Sequence, residues 1–301
     1  MSVALVDEIF SFEEHAEQRR SPKISKLASV HRKAVIGDNV EIGPFCCVGP
    51  DVKIGAGTVL KNNVTLSGHV TLGRDNVIFP GAVIGAEPQD INYDGAPTLV
   101  QLGDRNVIRE CVTINRATTK EDHVTSIGND CFFMGCVHIA HDCKIGNHIK
   151  IANATILGGH VHVADQATIS GNAGVHHFTR IGELSFVTGV GRVIQDVPPY
   201  LLVEGNPSRP RCVNVVALKR NKFSNETIRK VNEAYRLIYR SRLGLESARE
   251  ILTSKNYICD EINHLLDFIQ YQQEGKHGRG REQIRRAALS LIHISEPTRP
   301  Y

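Results

Sequence analysis

A hydrophobic side chain returns at every sixth position through the middle of the chain. The series is Ile127, Phe133, Ile139, Ile145, Ile151, Leu157, Val163, Ile169, Val175, Ile181, Val187 and Val193. A second register, four residues later, holds small or β-branched residues: Cys131, Val137, Cys143, Thr155, Val161, Ala167, Ala173, Thr179 and Ser185. Neither the helical period of about 3.6 nor the strand period of about 2 produces this spacing. It is typical of hexapeptide repeats, so the sequence predicts a parallel β-helix.

The same repeat begins earlier, at Ile36, and continues for nine hexads to Ile84. The next position falls on Asp90, and burying an unpaired carboxylate in an aliphatic core is unfavourable. We therefore expect residues 86–99 to form a loop. Glycine follows the aliphatic residue in six of these hexads, where we expect it to adopt the conformations of a tight corner. These glycines are Gly37, Gly43, Gly49, Gly55, Gly73 and Gly85.

Three more hexads, starting at Leu102, reach Ile114. The spacing from Ile114 to Ile127 is 13 residues rather than 12, which predicts a second loop near 118–125. The chain then holds 24 hexads, or eight coils if each coil has three sides. Long loops on rigid scaffolds often line functional sites.

The hexad period ends near Pro198, and helical spacing follows Asn206. Ser224 is a predicted helix N-cap, and further helices are predicted over Leu245–Ser254 and Cys259–Gln270. These features predict a small α-helical C-terminal domain.

The predicted organisation has four parts: a polar extension at 1–23, a β-helix at 24–200, the helical domain at 201–274 and a disordered tail at 275–301. Within the tail, residues 289–301 resemble a translated sequencing adapter. We expect them to be an assembly artefact, to be set apart from the fold as a fusion scar would be.

Composition excludes several classes of protein. The formal net charge is +3 and 22% of residues are charged, so no strong field indicates nucleic-acid or membrane binding. No apolar run approaches the length of a membrane span, and acidic residues interrupt the first 23 positions, unlike a secretion signal. The eight cysteines lack a CxxC pair, and Cys46, Cys131 and Cys143 fall in the small-residue register. Free thiols and a cytoplasmic location are therefore expected.

Histidines concentrate on one part of the repeat: His138, His141, His148, His160, His162, His176 and His177. With 18 residues per coil, His141, Gly159 and His177 stack in one column, about 5 Å apart per step. His160 lies beside Gly159. Imidazole is suited to removing a proton from a hydroxyl near neutral pH, and a glycine exposes its backbone N–H as an oxyanion site requires.

Three interpretations of this cluster fit the residues. One is a general base with surrounding donors. Another is a set of solvated polar positions, which a solenoid surface accepts readily. The third is a zinc site, since three histidines at a subunit interface can hold the metal.

Five stretches carry a resemblance to a known family: Ile42–Phe45 (IGPF), Gly103–Glu110 (GDRNVIRE), His138–Cys143 (HIAHDC), Gln195–Tyr200 (QDVPPY) and Ala234–Ser241 (AYRLIYRS). Over roughly residues 25–270 the chain resembles the family of acyl-carrier-protein–UDP-N-acetylglucosamine O-acyltransferases, which opens lipid A biosynthesis. The resemblance implies a left-handed parallel β-helix, a homotrimer with sites between subunits, and no bound cofactor or metal. The implied partners are acyl carrier protein and UDP-N-acetylglucosamine.

The resemblance also implies roles for individual residues. His141 would be the general base for the sugar 3-hydroxyl, Asp142 would assist or orient it, and Gly159 would be the backbone oxyanion donor. Adjacent strand residues point to opposite faces, so a His141–Asp142 contact requires a corner. The sugar or nucleotide end would be bound by Gln89, Asp90, His138, His160, His177, Asn214 and Arg220. The acyl-pantetheine path would be lined by Asn153, His176 and Gly189, with Gly189 admitting a long 3-hydroxyacyl chain.

The chain departs from the family pattern at four positions: Asn92, Asn115, His177 and Asn221. The implied catalytic set is untouched, whereas sugar and phosphate contacts are altered. The acceptor is therefore either UDP-N-acetylglucosamine or its 3-amino analogue. A carbonic-anhydrase-like zinc lyase on the same scaffold is the alternative from another class.

Overall fold

The computed structural model describes residues 20–275. Nearly all of its strands belong to a three-sided solenoid, and each side is a sheet of parallel strands. In chain order the strands are β1 Lys23–Ile24, β2 Ser29–Val30, β3 Val35–Ile36, β4 Glu41–Ile42, β5 Cys47–Val48, β6 Val52–Ile54, β7 Val59–Leu60, β8 Thr65–Leu66, β9 His69–Leu72, β10 Val77–Ile78, β11 Val83–Ala86, β12 Leu99–Leu102, β13 Val107–Ile108, β14 Thr113–Asn115, β15 Val124–Ile127, β16 Phe132–Phe133, β17 His138–Ile139, β18 Lys144–Ile145, β19 Lys150–Ile151, β20 Ile156–Leu157, β21 His162–Val163, β22 Thr168–Ile169, β23 Gly174–Val175, β24 Arg180–Ile181, β25 Phe186–Val187, β26 Arg192–Val193, β27 Leu201–Gly205 and β28 Ser208–Val213.

Every third strand belongs to the same sheet, as in β2-β5-β8-β11 and β3-β6-β9-β12. Neighbouring strands pair in parallel with matched registers, for example Lys144 with His162 and Ile145 with Val163. The predicted parallel β-helix is confirmed. Two strands, β1 and β2, precede the first predicted hexad, because Ile24 and Val30 continue the repeat toward the N-terminus.

The core is the narrow interior that the three faces enclose. All twelve residues of the aliphatic register from Ile127 to Val193 are buried, and so are the nine of the small-residue register. Each coil places its aliphatic side chains on those of the coils before and after it. Burial of this kind contributes roughly 25 cal/mol per Å² of apolar surface.

Non-glycine residues form most of the corners, in the left-handed backbone region. Asp142, His160 and Phe178 have φ of 60°, 61° and 62°. Such a conformation is unfavourable for residues with a side chain. Here the corner amides donate to the preceding coil: His160 N to His141 O and Phe178 N to Gly159 O, both at 3.0 Å, and Asp142 N to Thr125 Oγ1 at 2.8 Å. Coil stacking therefore stabilises the corners.

The glycines after the aliphatic positions serve another purpose than predicted. Of the six, Gly85 alone has a positive φ, of 85°. A Cβ on Gly49 would meet no atom closer than 3.4 Å. The other four are required by close stacking: a Cβ on Gly55 would lie 2.3 Å from the Gly73 oxygen, and one on Gly43 would lie 2.6 Å from the Lys61 oxygen. Adjacent backbones leave no room for a side chain there.

Two loops leave the solenoid, residues 87–98 between β11 and β12 and residues 116–123 between β14 and β15. Arg116 holds the first loop at its base, because its guanidinium donates to Tyr93 Oη, Gly85 O and Glu87 Oε1, each at 3.0 Å. Lys120 of the second loop forms an ion pair with Asp90 of the first. The two loops are thus fastened together on one side of the solenoid.

The C-terminal region begins with strands rather than with the helices predicted after Asn206. Strand β27 extends the sheet of β25, and β28 folds back antiparallel to β27. The helices follow as α1 Val215–Arg220, α2 Asn225–Tyr235, a π-helical turn Arg236–Arg240, α3 Leu245–Ser254 and α4 Asp260–Glu274. Ser224 caps α2 as predicted, its Oγ accepting from Thr227 N at 3.0 Å. These helices enclose a second apolar core.

Residues 1–19 of the predicted extension lie outside the described residues. So does the predicted disordered tail after Gly275, with its predicted artefact at 289–301. Within residues 20–275 no helix has both the length and the apolar character needed to cross a membrane.

The stacked glycines allow a test of coil packing. We expect Gly55→Ala to lower the free energy of unfolding by about 1–3 kcal/mol, because the added methyl forces neighbouring coils apart. Gly174→Ala is the matched control, since a Cβ there has nothing within 4 Å. Denaturant midpoints followed by circular dichroism measure both, and equal effects would contradict the stacking requirement.

Candidate active site

His141 and Asp142 form a hydrogen-bonded pair at the corner that follows β17. The His141 Nδ1 lies 2.7 Å from Asp142 Oδ2. Adjacent residues on a straight strand could not make this contact. The left-handed conformation of Asp142 turns its carboxylate back toward the preceding imidazole.

Asp142 is fully buried and accepts further hydrogen bonds from Thr118. Thr118 N lies 3.0 Å from Oδ1, and Thr118 Oγ1 lies 2.7 Å from Oδ2. Burial alone would raise the pKa of the Asp142 carboxyl, but the hydrogen bonds from His141 and Thr118 outweigh it and hold that pKa below its ordinary value. The ionised carboxylate accepts from His141 Nδ1–H, so the free ring nitrogen of His141 is Nε2.

Gly159 lies against the His141 ring. A Cβ on Gly159 would be 2.5 Å from His141 Cε1 and 2.8 Å from Nε2, so the ring fits only over a bare backbone. The Gly159 N–H makes no hydrogen bond within residues 20–275. At another corner of the solenoid the equivalent amides are bonded, with Asn129 N donating to Asn147 Oδ1 at 2.9 Å. The Gly159 amide is therefore available to a ligand.

His138 lies on β17, the strand that leads into the corner of His141 and Asp142. Its Nδ1 lies 2.7 Å from Thr113 Oγ1 on the neighbouring strand β14. Burial, and then the proximity of His141, lower the pKa of His138. The neutral imidazole is favoured, and its Nε2 remains for another partner.

His160 is enclosed on every side. Its Nδ1 lies 2.8 Å from Glu121 Oε1, and its Nε2 lies 3.6 Å from Asp142 Oδ2. The ring stacks on Phe178 with centroids 4.4 Å apart and meets the His141 ring edge-on at 5.3 Å. The side chain is 5% exposed. The structure thus joins His141, Asp142 and His160 in one cluster.

His177 occupies the column position predicted for it, one coil beyond Gly159. A Cβ on Gly158 would lie 2.8 Å from His177 N, and the His176 and His177 rings are 3.8 Å apart. His176 is exposed. The two rings extend the histidine surface along the solenoid axis.

Asp90 reaches the site from the loop at 87–98. Its hydrogen bond from Lys120 Nζ and that from the Asn92 amide lower the pKa of Asp90 to about 2, and the nearby His141 contributes to this shift. Asp90 is therefore an anion at the edge of the cluster. Gln89 is exposed beside it.

Of the residues predicted for the acyl path, His176 lies beside His177 at the histidine corner, whereas Asn153 and Gly189 lie at another corner. Asn153 and Gly189 are 36 residues apart and share the column that also holds Gly171. A Cβ on Gly189 would meet no atom closer than the Gly171 oxygen at 3.4 Å. Glycine at 189 is therefore not required by packing, unlike Gly159.

Asn214 and Arg220 belong to the C-terminal region. Asn214 caps α1 by accepting from Ala217 N at 3.3 Å, and its amide donates to Leu184 O at 2.8 Å. This side chain fastens α1 to a corner of the solenoid. Arg220 is exposed at the end of α1. Among residues 20–275 neither side chain contacts the histidine cluster.

Sequence reasoning did not identify Thr113, Thr118, Lys120 or Glu121 as part of the site. Thr113 stacks on His138, but the second loop makes their separation 25 residues rather than 18. The other three lie on that loop, where no periodicity places a side chain.

His141, Asp142 and His160 have potential ligand atoms within 4.8 Å of one another, close enough to coordinate one metal ion. Both Asp142 oxygens already accept from Thr118, and Oδ2 also accepts from His141. A cation would have to displace these bonds. The donor set suits a hydrogen-bonded acid–base network better than a metal centre.

Two family models match the chain. One is described as UDP N-acetylglucosamine O-acyltransferase, domain 2, and matches residues 196–280. The other is the bacterial transferase hexapeptide with six repeats, and it matches residues 33–68.

Curated relatives carry the name acyl-(acyl-carrier-protein)–UDP-N-acetylglucosamine O-acyltransferase. The chain is 45% identical to that of Thermodesulfovibrio yellowstonii over 253 residues, 84% of this chain and 98% of the relative. It is also 45% identical to that of Gloeothece citriformis over 206 residues, 68% of this chain and 74% of the relative.

Solved structures of UDP-N-acetylglucosamine acyltransferases share the fold. The Bacteroides fragilis protein matches with a TM-score of 0.80 at 39% identity, covering 82% of this chain and 96% of that one. The Francisella novicida protein matches with a TM-score of 0.77 at 43% identity, covering 81% and 90%. The parallel β-helix is accordingly of the left-handed type.

We expect the contribution of Asp142 to the free energy of unfolding to depend on pH. Because its folded-state pKa is depressed, the stability it contributes is present above its ordinary pKa near 4 and is lost as pH falls through the folded value. Asp142→Asn should lower the free energy of unfolding by about 1–3 kcal/mol at pH 7, and the difference from wild type should shrink below about pH 4.

Urea denaturation at a series of pH values measures this difference. Asp51→Asn, at an exposed solenoid position, is the control and should change stability by less than about 0.5 kcal/mol. A difference for Asp142→Asn that is constant down to acid pH would show that the carboxylate is not the source.

Proposed function

The chain belongs to the acyl-(acyl-carrier-protein)–UDP-N-acetylglucosamine O-acyltransferase family, and we propose that it transfers an (R)-3-hydroxyacyl group from acyl carrier protein to the 3-hydroxyl of UDP-N-acetylglucosamine. This reaction is the first step of lipid A biosynthesis. The observation that carries the proposal is the hydrogen-bonded pair of His141 and the buried Asp142 beside the Gly159 N–H, which makes no hydrogen bond within residues 20–275. A base and an oxyanion donor next to each other are what acyl transfer requires.

In the proposed mechanism His141 Nε2 takes the proton of the sugar 3-hydroxyl as its oxygen attacks the thioester carbonyl. Asp142 stabilises the imidazolium that forms, and the Gly159 N–H donates to the developing oxyanion. When the carbonyl is restored, the carbon–sulfur bond breaks and His141 returns its proton to the departing pantetheine sulfur. The ester and the free carrier thiol are the products, so no cofactor is needed.

The sugar nucleotide is assigned to the surface around this pair. His138, His160 and His177 offer ring nitrogens, and Gln89 and Asp90 approach from the first loop. Asp90 is already ionised and held by Lys120, so it can accept from a sugar hydroxyl or amide. Asn214 and Arg220 are assigned to the nucleotide or the carrier protein, with Asn214 also serving as the cap of α1.

The altered positions leave the choice of acceptor to experiment. The backbone N–H of Asn92 donates to Asp90 Oδ1 at 3.0 Å, and its side-chain amide donates to the same oxygen at 3.4 Å. The buried Asn115 donates to Glu87 O at 2.5 Å, while its Oδ1 has no hydrogen-bond partner within residues 20–275. An acceptor atom in this position suits a donor group, which both an N-acetyl sugar and a 3-amino sugar carry.

A homotrimer with sites between subunits completes the proposal. Ile156 stacks directly on His138 in the sheet and is 55% exposed, and Val190 beside Gly189 is 76% exposed. Exposed apolar side chains next to a site favour coverage by a partner. In the proposed trimer a neighbouring subunit brings the corner of Asn153 and Gly189 opposite His141 and His176. The eight free thiols support a cytoplasmic location.

His141→Ala should lower transfer to UDP-N-acetylglucosamine by about 10²- to 10⁴-fold, because it removes the base. Purified protein assayed with short, medium and long 3-hydroxyacyl carrier proteins, and with both candidate acceptors, measures this effect and settles the substrates. The control is His31→Ala, because His31 is exposed and lies near the N-terminal end of the solenoid, far from His141. Turnover near wild type in His141→Ala would remove it as the base, and stoichiometric zinc with CO₂ hydration would favour the lyase instead.

Gly189→Met should shift the acyl preference toward shorter chains by at least about tenfold in the ratio of kcat/KM values, because the added side chain occupies the acyl path. The backbone tolerates a Cβ there, so the variant should fold. Gly244→Ala, where a Cβ has nothing within 4 Å, should leave the preference unchanged. An unchanged preference in Gly189→Met would place the acyl path elsewhere.

A further inference from the structure

The two ends of the solenoid core are covered to different extents. At the C-terminal end, Val187 is 0% exposed, because β27 and the helical region follow it. At the N-terminal end, Ile24 is 44% exposed, although Ile42, which stacks on it from the next coil, is 2% exposed. Val30 and Ile36 of the same first coil are only partly buried. The core is therefore open at its N-terminal end.

Exposed apolar side chains continue around that end. Leu27 is 62% exposed, and Phe45, at the same corner of the next coil, is 61% exposed. Val35 is 58% exposed on another side of the first coil. Stacked repeats leave apolar end faces, so solenoids need a terminal cap with a polar outer surface. A concentration of exposed apolar side chains on the first two coils indicates that something covers them.

Charge indicates what covers this end. From position 20 to position 37 the chain carries five basic side chains and no acidic one: Arg20, Lys23, Lys26, Arg32 and Lys33. Of these, Lys23 pairs with Glu41 of the next coil. A second copy of the chain, docked end to end, would place like charges against one another, which is unfavourable.

The preceding segment carries the opposite charge. Residues 1–19, which lie outside the described residues, contain one arginine, Arg19, and five acidic residues: Asp7, Glu8, Glu13, Glu14 and Glu17. The segment also joins the solenoid at the open end, because Arg20 N donates to Asn39 Oδ1 and Asn39 N donates to Arg20 O, both at 2.8 Å. It is therefore close to the basic first coil and complementary to it in charge.

The apolar residues of this segment have helical spacing. Leu5, Ile9, Phe12 and Ala16 recur at i, i+4, i+7 and i+11, which is one stripe along a helix. A helix over residues 3–17 would be about 22 Å long. One six-residue side of a coil is at most about 20 Å long. The segment thus has the length and the apolar stripe needed to lie across the end of the solenoid.

We propose that residues 1–19 are the N-terminal cap of the solenoid. The stripe of Leu5, Ile9 and Phe12 packs as one face of a helix on Ile24 and Val30, and the carboxylates of the segment meet the basic side chains around the end. The cap suppresses local opening of the first coil, which otherwise has a paired coil on one side only. This role is independent of the reaction that the protein catalyses.

Hydrogen exchange of the full-length protein tests the cap. The amides of Ser25 and Ser29 donate to the second coil at 2.8 Å, so they exchange when the first coil opens. The double variant Leu5→Asp/Ile9→Asp should raise their exchange rates by at least about tenfold. The amide of Lys144, in the middle of the solenoid, should change by less than about twofold, which shows that the variant is folded. Unchanged rates at Ser25 and Ser29 would overturn the proposal.

The matched control is Ser11→Asp. It adds the same charge within the segment, but Ser11 falls on the opposite side of the predicted helix from the apolar stripe. Its first-coil exchange should stay within about twofold of wild type. A rise equal to that of the double variant would show that added charge, not loss of the stripe, opens the coil, and would contradict the cap.

Two measurements distinguish other occupants of the open end. Wild type and Ile24→Asp should have the same particle mass by light scattering. A wild-type particle that Ile24→Asp reduces to half its mass would assign the end to a second copy and overturn the proposal. Wild type should also fail to sediment with anionic lipid vesicles. Sedimentation that Ile24→Asp abolishes would assign the surface to a membrane instead.

Discussion

Parallel pairing between coils 18 residues apart is the constraint on which the rest of this protein depends. Each strand from β1 to β26 is two to four residues long and gains its stability from the strands above and below it, not from its own length. The corners follow the same rule: their left-handed conformations persist because each amide donates to the coil before it. Glycine appears where two coils approach too closely for a side chain.

This stacking also constructs the candidate site. The corner at Asp142 allows two neighbours in sequence, His141 and Asp142, to form a hydrogen bond that a strand would prevent. One coil further on, the same corner presents Gly159, whose bare backbone receives the His141 ring and leaves an amide unused. The proposed base and the proposed oxyanion donor are thus two successive copies of one structural position.

The loops supply what repetition cannot. A solenoid repeats its backbone, so its corners are similar, and a site needs side chains that break the similarity. Thr118 and Glu121 come from a single insertion and reach Asp142 and His160 from outside the coil. Lys120 then ties that insertion to Asp90 of the other loop. The solenoid corners and the two connected loops together hold the histidines in position.

The sequence by itself determined the solenoid, its core registers, the positions of both loops and the columns that bring His141, Gly159 and His177 together. It could do so because the period of six is local and repeats with every strand. It did not reveal the hairpin of β27 and β28, since that strand pair has no repeat to predict it. It also did not indicate that Thr118 and Glu121 contact the histidine cluster.

Only the tertiary structure decided how the histidine cluster is held. An aperiodic loop has no register, so its contacts depend on where the folded chain returns. The six-residue repeat of hydrophobic positions therefore determined where the histidines lie. Burial of Asp142 and its bonds from Thr118 and His141 decided that they form an acid–base network.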